Sequence, residues 1–177
     1  MLNWLLGRFM LRWVLANVVG WLACLYLTRV RVEAVLIIAL LQALGAFGLG
    51  LAQRWALRRF IHIGWWWVFD TLLGVLCGVT LAYFVAPLLD GLWFKWQNLI
   101  IGALVGLVLG AAQWLVLGRY FRGGRLWISA NLVGGALCGF LSLPLTPQGA
   151  LLGGLALGLI TGWALLRVGE TAGSVSS

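Results

Sequence analysis

One carboxylate stands out among the few side chains of this sequence that are able to do chemistry. The 177 residues include four acidic side chains, one histidine and three cysteines. Asp70 lies five residues into an apolar stretch, where a carboxylate is typical of a proton or cation site unless a basic partner neutralises it. Arg58 and Arg59 lie one short loop earlier. We interpret Asp70 first as half of an interfacial salt bridge, and second as a proton or cation site.

The remaining reactive side chains offer little material for catalysis or metal binding. His62 lacks a carboxylate neighbour, and a lone histidine makes a poor metal site or general base. Cys24, Cys77 and Cys138 could converge to bind a soft metal, but small apolar packing explains them better, because no neighbouring charge would stabilise thiolates. Since the usual nucleophile, phosphate-loop and zinc-protease motifs do not occur either, the sequence predicts a non-enzyme without catalytic or metal-binding residues.

Other polar side chains recur at equivalent positions of two repeated patterns. The pattern Trp-x-x-x-Asn/Thr-x-x-Gly occurs at 13–20, 67–74 and 127–134, where it aligns Asn17, Thr71 and Asn131. A glycine-rich segment that ends in arginine occurs at 50–59, 110–119 and 158–167, where it aligns Gln53, Gln113 and Thr161, and also Arg59, Arg119 and Arg167. Internal repeats of this kind indicate the architecture before any local feature does.

Each aligned set has a structural and a functional interpretation. The amides and hydroxyls are expected to form hydrogen bonds between helices, and the alternative is a polar path or ligand cage around a pseudo-threefold axis. The three arginines are either ordinary helix-end charges that suit the helix dipole or a clamp for a lipid phosphate or an anionic substrate.

The elements that carry these residues are helices of membrane length. The chain is 63% hydrophobic and 9% charged, and a bilayer core requires about 20 apolar residues per helix. Six stretches meet or approach this length, at 9–28, 34–53, 65–86, 98–117, 126–143 and 149–166. We predict an all-α, polytopic membrane protein with one six-helix domain over 1–168, built from hairpin repeats at about 9–57, 65–118 and 126–167, and a disordered polar tail at 169–177.

Basic residues predict the orientation of these helices. With six spans, nine basic residues lie on the side that holds both termini, and Arg29, Arg31 and Lys95 lie on the other side. By the positive-inside rule, both termini are expected in the cytoplasm. A net charge of +8 could suggest nucleic acid, but arginines at helix ends favour anionic lipid headgroups as partners instead.

Glycine and tryptophan also suit a membrane protein. Spaced glycines at 102–110 and 154–162 predict close helix contacts, because lipid supplies no hydrophobic drive between helices. Most of the 12 tryptophans are expected in aromatic belts at the headgroup level; in this interpretation the cytoplasmic belt comprises Trp55, Trp65, Trp66, Trp67, Trp114, Trp127 and Trp163, and the outer belt Trp93 and Trp96.

Two long segments support a resemblance to a known family. Residues 50–74 read GLAQRWALRRFIHIGWWWVFDTLLG, and residues 110–134 read GAAQWLVLGRYFRGGRLWISANLVG. They resemble uncharacterised membrane proteins common in phototrophic bacteria, whose repeats read Gln-Trp-x-x-Leu-Arg-Arg before a Trp-rich helix start. This chain departs from that form at Arg54, Gly118 and Thr161. The resemblance implies a multi-pass protein of the bacterial inner membrane and no particular activity.

Two functions follow as hypotheses. The first is a non-enzymatic scaffold or accessory subunit of a larger membrane complex, whose partners are lipids and other membrane subunits. The alternative is a small-solute permease or ligand-binding membrane subunit of a transporter, with the polar residues along its axis. No cofactor is expected, although asparagine and glutamine could also hydrogen-bond a pigment or a quinone.

Overall fold

The chain folds as six α-helices. The computed structural model describes residues 2–28, 35–58, 61–142 and 146–173, and these ranges contain helices, turns and loops but no strand. The helices are α1 Leu2–Thr28, α2 Val35–Leu57, α3 Trp66–Val85, α4 Phe94–Leu117, α5 Gly124–Leu141 and α6 Pro147–Gly173. A short 3-10 turn over Ala86–Leu89, which contains Pro87, follows α3. The all-helical class and the number of helices are confirmed within these ranges.

Two helices are longer than the apolar stretches that predicted them. Helix α1 begins at Leu2 rather than near residue 9. Helix α6 continues to Gly173, into the segment expected to be a disordered tail. No proline interrupts either extension, so the backbone hydrogen bonds of these helices can continue beyond the predicted ends. Residues 174–177 lie outside the described part of the chain.

Three of the described helices are long and apolar enough to cross a bilayer. They cover Trp66–Leu89, Phe94–Leu117 and Pro147–Val168. Large apolar side chains also remain exposed on the outer surface of the bundle, for example Leu73, Leu115 and Leu159, and exposed apolar surface of this kind is typical of an interaction with lipid or another protein. That all six helices cross the membrane stays a prediction.

The helices pack in chain order as a closed ring. Each helix contacts its neighbours in sequence, and α6 packs against α1 to close the ring. Neighbours run antiparallel: along the α6–α1 contact, Gly154 faces Val18 while Gly158 faces Val14. We call the end of the bundle that carries the α2–α3 and α4–α5 loops the basic end. The other end of the bundle, which carries the α3–α4 loop, is called the opposite end.

The tightest contact in the ring joins α4 to α5 through glycine. A Cβ atom on Gly102 would overlap the backbone carbonyl oxygen of Gly135, and one on Gly106 would overlap that of Asn131. Gly139 is equally close to the carbonyl oxygen of Asn98. The spaced glycines therefore lie at helix contacts, as predicted, because only glycine lets two backbones approach so closely.

Candidate functional site

Three tryptophans meet inside the ring. Trp13 of α1, Trp67 of α3 and Trp127 of α5 are each fully buried, and their ring centroids are 6.1 to 6.3 Å apart. Trp13 packs edge-on against the other two rings, a favourable arrangement for aromatic pairs. We call these residues the tryptophan layer. It closes the interior of the bundle toward the basic end.

The predicted belt assignment is wrong for two of these residues. Trp67 and Trp127 were expected at the headgroup level, but both lie in the core. Their partners in the repeat explain why: like Trp13, each precedes a buried Asn or Thr by four positions, and this spacing places the pair on one face of a helix. Trp55, Trp65 and Trp163 remain about half exposed, which is compatible with a belt.

The aligned amides and hydroxyls form a polar layer one helical turn from the tryptophans. Its members are Asn17, Gln53, Thr71, Gln113, Asn131 and Thr161, all buried. A continuous chain of bonds runs through four of them: Gln53 Nε2 donates to Asn17 Oδ1 at 3.0 Å, and Gln113 Nε2 donates to Gln53 Oε1 at 2.9 Å and to Thr71 Oγ1 at 3.1 Å. The indole of Trp13 donates to Thr161 Oγ1 at 2.9 Å.

Backbone carbonyls anchor this network within the odd-numbered helices. Asn17, Thr71 and Asn131 donate to the carbonyl oxygens of Trp13, Trp67 and Trp127, at 2.8, 2.8 and 3.1 Å. Because a backbone carbonyl can only accept, these bonds determine which end of each amide donates. The expected hydrogen bonding between helices is present for Asn17, Gln53, Thr71, Gln113 and Thr161, whereas Asn131 bonds within its own helix.

The network leaves three buried polar atoms without a protein partner among the described residues. These are the indole nitrogens of Trp67 and Trp127 and the amide oxygen of Gln113. A buried donor or acceptor without a partner costs about 1–3 kcal/mol. The Trp13 indole, in the equivalent position, is paired with Thr161. The three tryptophans are therefore alike in burial and different in hydrogen bonding.

A leucine layer lies beyond the polar layer, toward the opposite end. Leu49, Leu109 and Leu157 each precede a polar-layer residue by four positions and are buried. Each leucine packs on a glycine of an odd-numbered helix: Gly20 faces Leu49, Gly74 faces Leu109 and Gly134 faces Leu157. This layer was not predicted, although leucine precedes Gln53, Gln113 and Thr161 by the same four positions in the sequence.

A cavity of about 270 Å³ lies above the leucine layer, and all six helices contribute to its wall. Its described lining residues are Trp21, Gln42, Leu49, Val75, Val79, Asn98, Ile101, Gly102, Val105, Gly106, Leu109, Gly135, Cys138, Gly139, Ser142 and Leu157. None of these carries a charge, and none belongs to the polar layer. The polar groups of the described wall belong to Trp21, Gln42, Asn98, Cys138 and Ser142. The other lining residues are apolar or glycine, and glycines form much of the α4–α5 side.

Most polar groups of the cavity wall already have partners. The Trp21 indole donates to Ser142 Oγ at 3.0 Å, which joins α1 to α5 across the wall. The Asn98 amide donates to the carbonyl oxygen of Phe94 at 2.7 Å. Cys138 lies 3.9 Å from the Ser142 hydroxyl. Buried polar groups are stable when they are paired in this way, so these residues shape the wall without demanding a polar ligand.

The charged residues singled out in the sequence lie apart from this cavity. Asp70 is only partly buried on α3, and the described cation that acts on its charge is Arg119, beyond α4, rather than Arg58. Arg167 is exposed on α6, with its guanidinium 5.8 Å from the centroid of the Trp163 ring. Among the described residues, Arg119 acts on the charge of Asp70 and Arg167 faces the Trp163 ring; the third member of the set, Arg59, lies outside them.

Cysteine and histidine do not assemble a metal centre in the described part of the chain. Cys138 is buried in the cavity wall and Cys77 is exposed on the bundle surface, so these two thiols do not converge. The side chain of Cys24 lies outside the described residues. His62 is exposed in the α2–α3 loop, and its carbonyl oxygen accepts a hydrogen bond from the Tyr120 hydroxyl at 3.0 Å.

No protein-family model matches this chain, and neither a curated protein nor a solved structure is significantly similar to it. Its function must therefore be inferred from the geometry of the ring, the three layers and the cavity.

Proposed function

We propose that this chain is a non-enzymatic membrane protein that binds a small, neutral and mostly apolar molecule in its axial cavity. The observation that carries the proposal is the cavity itself, to which all six helices contribute. Ligand sites are typically concave and mostly apolar, and they often lie between the helices of a bundle. The alternative hypothesis from the sequence was a small-solute permease or a ligand-binding membrane subunit, and the present proposal is the ligand-binding one.

The lining residues limit the class of ligand. A volume of about 270 Å³ lies just below the usual range of roughly 300–1,000 Å³ for ligand pockets, so the ligand is small. The described wall offers no charged side chain to neutralise an ion, and an unpaired charge in an apolar cavity costs far more than its contacts return. Ions and zwitterions are therefore excluded from the proposal.

A permease is a poorer fit than a binding protein. The leucine, polar and tryptophan layers follow one another between the cavity and the basic end, and all their members are buried. The polar residues expected to line a path are instead bonded to one another or to backbone carbonyls. Opening a path would break this network, so the arrangement favours a pocket that is closed at its floor.

The membrane setting is part of the same proposal. We propose six spans in a bacterial inner membrane, with the basic end in the cytoplasm; three sufficiently apolar helices support it, as do Arg58, Arg119, Arg122 and Arg125 at that end. The pseudo-threefold repeat belongs to the same proposal and is supported by the near-equal spacing of the tryptophan layer. Membership of the family that the sequence resembles is also proposed, and it rests on the two repeated segments alone. Impermeant thiol labelling of cysteine variants at Asp90 and Arg122 tests the orientation: in intact cells only the Asp90 position should react.

A scaffold or accessory subunit is the second candidate. The favouring observation is the internally bonded polar layer, because such a network makes the bundle a stable body for other subunits to pack on. Native mass spectrometry after mild extraction separates the two candidates. Protein partners in fixed stoichiometry would favour the scaffold, and one bound small molecule on a lone chain would favour the binding protein.

A matched set of probes tests the proposed ligand class directly. Biphenyl is neutral and apolar, and biphenyl-4-carboxylate adds a charge to the same rings. We expect biphenyl to raise the melting temperature of the purified protein, since a ligand that binds only the folded state stabilises it, and we expect the carboxylate to have no such effect. Stabilisation by the carboxylate alone, or by neither probe, would contradict the proposal.

Filling the cavity provides the control by mutation. Val79→Phe adds a ring to the cavity wall, whereas Val133→Phe adds the same ring at an exposed position of α5 outside the wall. Stabilisation by biphenyl should disappear in the first variant and persist in the second. If both variants respond like the parent protein, the probe binds elsewhere and the cavity is not the site.

A further inference from the structure

One polar side chain of the cavity wall keeps both its donor and its acceptor available. Gln42 of α2 lines the cavity and is half-buried. The donors of the Trp21 and Asn98 side chains are engaged: the Trp21 indole bonds Ser142, and the Asn98 side-chain nitrogen bonds the carbonyl oxygen of Phe94. The carboxamide of Gln42 makes no hydrogen bond with any described residue, although an amide carries two donors and an acceptor oxygen.

The separation between Gln42 and the leucine layer, which forms the floor of the cavity, determines the length of a ligand that contacts both. Gln42 and Leu49 are seven residues apart on α2 and both line the cavity, as two helical turns on one face require. At 1.5 Å per residue the backbone positions of Gln42 and Leu49 lie about 10 Å apart along α2. Between them the wall is formed by apolar side chains such as Val75 and Val79, and by glycines.

From this arrangement we infer that the ligand is a neutral molecule about 10 Å long, with an apolar body on the leucine layer and one hydroxyl or carbonyl group bound by Gln42. This inference rests on the proposed function and adds the polar group, its position and the residue that recognises it. A carboxamide can donate to a carbonyl oxygen or accept from a hydroxyl, so the class comprises alcohols, phenols, ketones and quinone-like rings of this length.

The experiment compares two probes with the same apolar body. Biphenyl and 4-phenylphenol differ by one terminal hydroxyl, and both are neutral at pH 7. Their dissociation constants are measured with the full chain in lipid nanodiscs, for the parent protein, for Gln42→Leu and for Gln148→Leu. The last is a matched control, because Gln148 is exposed on α6 and does not line the cavity.

We expect 4-phenylphenol to bind the parent protein and Gln148→Leu about two- to tenfold more tightly than biphenyl, the usual effect of one net hydrogen bond. In Gln42→Leu the preference should disappear while the affinity for biphenyl stays unchanged or improves. Unchanged biphenyl affinity also shows that the variant is folded.

Each other result overturns a different part of the reasoning. Equal binding of the two probes by the parent protein would refute the role of Gln42 and leave the apolar cavity as a site. A preference that survives in Gln42→Leu would place the hydroxyl elsewhere in the wall, again against this inference alone. Binding of neither probe would refute the proposed function, and this inference with it.

Discussion

Replacing Gly106 by alanine should destabilise the bundle by a predictable amount. A Cβ at this position would overlap the carbonyl oxygen of Asn131, and it would lie 2.9 Å from the Asn131 carbonyl carbon and 3.2 Å from Gly135 Cα. All three contacts are with backbone atoms, which cannot rotate away as a flexible side chain does. Helices α4 and α5 must therefore move apart to admit a single methyl group.

A second glycine isolates the steric cost. Gly48 lies within α2, and a Cβ there meets nothing within 4 Å, so Gly48→Ala changes helix propensity alone, a gain of up to about 1 kcal/mol. Gly106→Ala has the same gain in helix propensity, but it also has the steric cost of the overlap between the new Cβ atom and the backbone of α5. Overpacking of a well-packed interior costs about 1–3 kcal/mol, and this should be the difference between the two variants.

Thermal unfolding in detergent, followed by intrinsic tryptophan fluorescence, measures that difference. For a chain of this length about 2–4 °C corresponds to 1 kcal/mol, so Gly106→Ala should melt roughly 2–12 °C below Gly48→Ala. A melting temperature of Gly106→Ala at or above that of the parent protein would refute the close backbone contact between α4 and α5. A loss in Gly48→Ala as large as that in Gly106→Ala would show instead that glycine is needed on the surface of α2.

Two further predictions concern hydrogen bonds and charge. Trp13→Phe and Trp127→Phe remove the same volume from fully buried sites, but the first loses a hydrogen bond worth about 0.5–1.5 kcal/mol and the second removes an unpaired donor that costs about 1–3 kcal/mol. Denaturant unfolding should therefore find Trp127→Phe the more stable variant, and the reverse order would refute the hydrogen-bond assignment. A double-mutant cycle of Asp70→Asn with Arg119→Gln, measured by thermal unfolding in detergent, should give a coupling of about 0.2–1 kcal/mol, because Arg119 is the described cation whose charge favours the ionised carboxylate; no coupling would show that the two charges do not interact.

The sequence predicted the helices and the polar layer because both depend on spacing. Asn17 and Asn131 each share a helix face with a tryptophan four positions earlier and a glycine three positions later. This spacing determines the face on which a side chain lies, wherever the helix sits along the axis of the bundle. Depth itself was harder to predict. Trp67 follows Trp65 and Trp66 at the start of α3, and hydropathy does not distinguish this buried residue from its two exposed neighbours; only its spacing from Thr71 does.

The cavity could not be predicted, because a void depends on how far helices diverge. Leu49, Leu109 and Leu157 fill the axis where each meets a glycine, whereas residues farther along the same helices, such as Gln42, leave it open. Leucine, valine and glycine serve equally well in a filled and in an unfilled stretch of a membrane helix, so hydropathy does not distinguish the two. The action of the Arg119 charge on Asp70 could not be predicted for a similar reason, because Arg119 is distant in sequence and is brought near only by the ring; Arg59, one of the two expected partners, lies outside the described residues.

Because α1 packs against α6, the first helix cannot complete its packing until the last helix has been synthesised. Trp13 donates to Thr161, 148 positions later in the chain, and Val14 and Val18 pack on glycines of the same final helix. Until α6 packs against α1, the face of α1 that carries these residues has no permanent partner, and incompletely packed helices are prone to misassembly. Premature termination before α6 should therefore leave an unstable, protease-sensitive product, even though five of the six helices are already made.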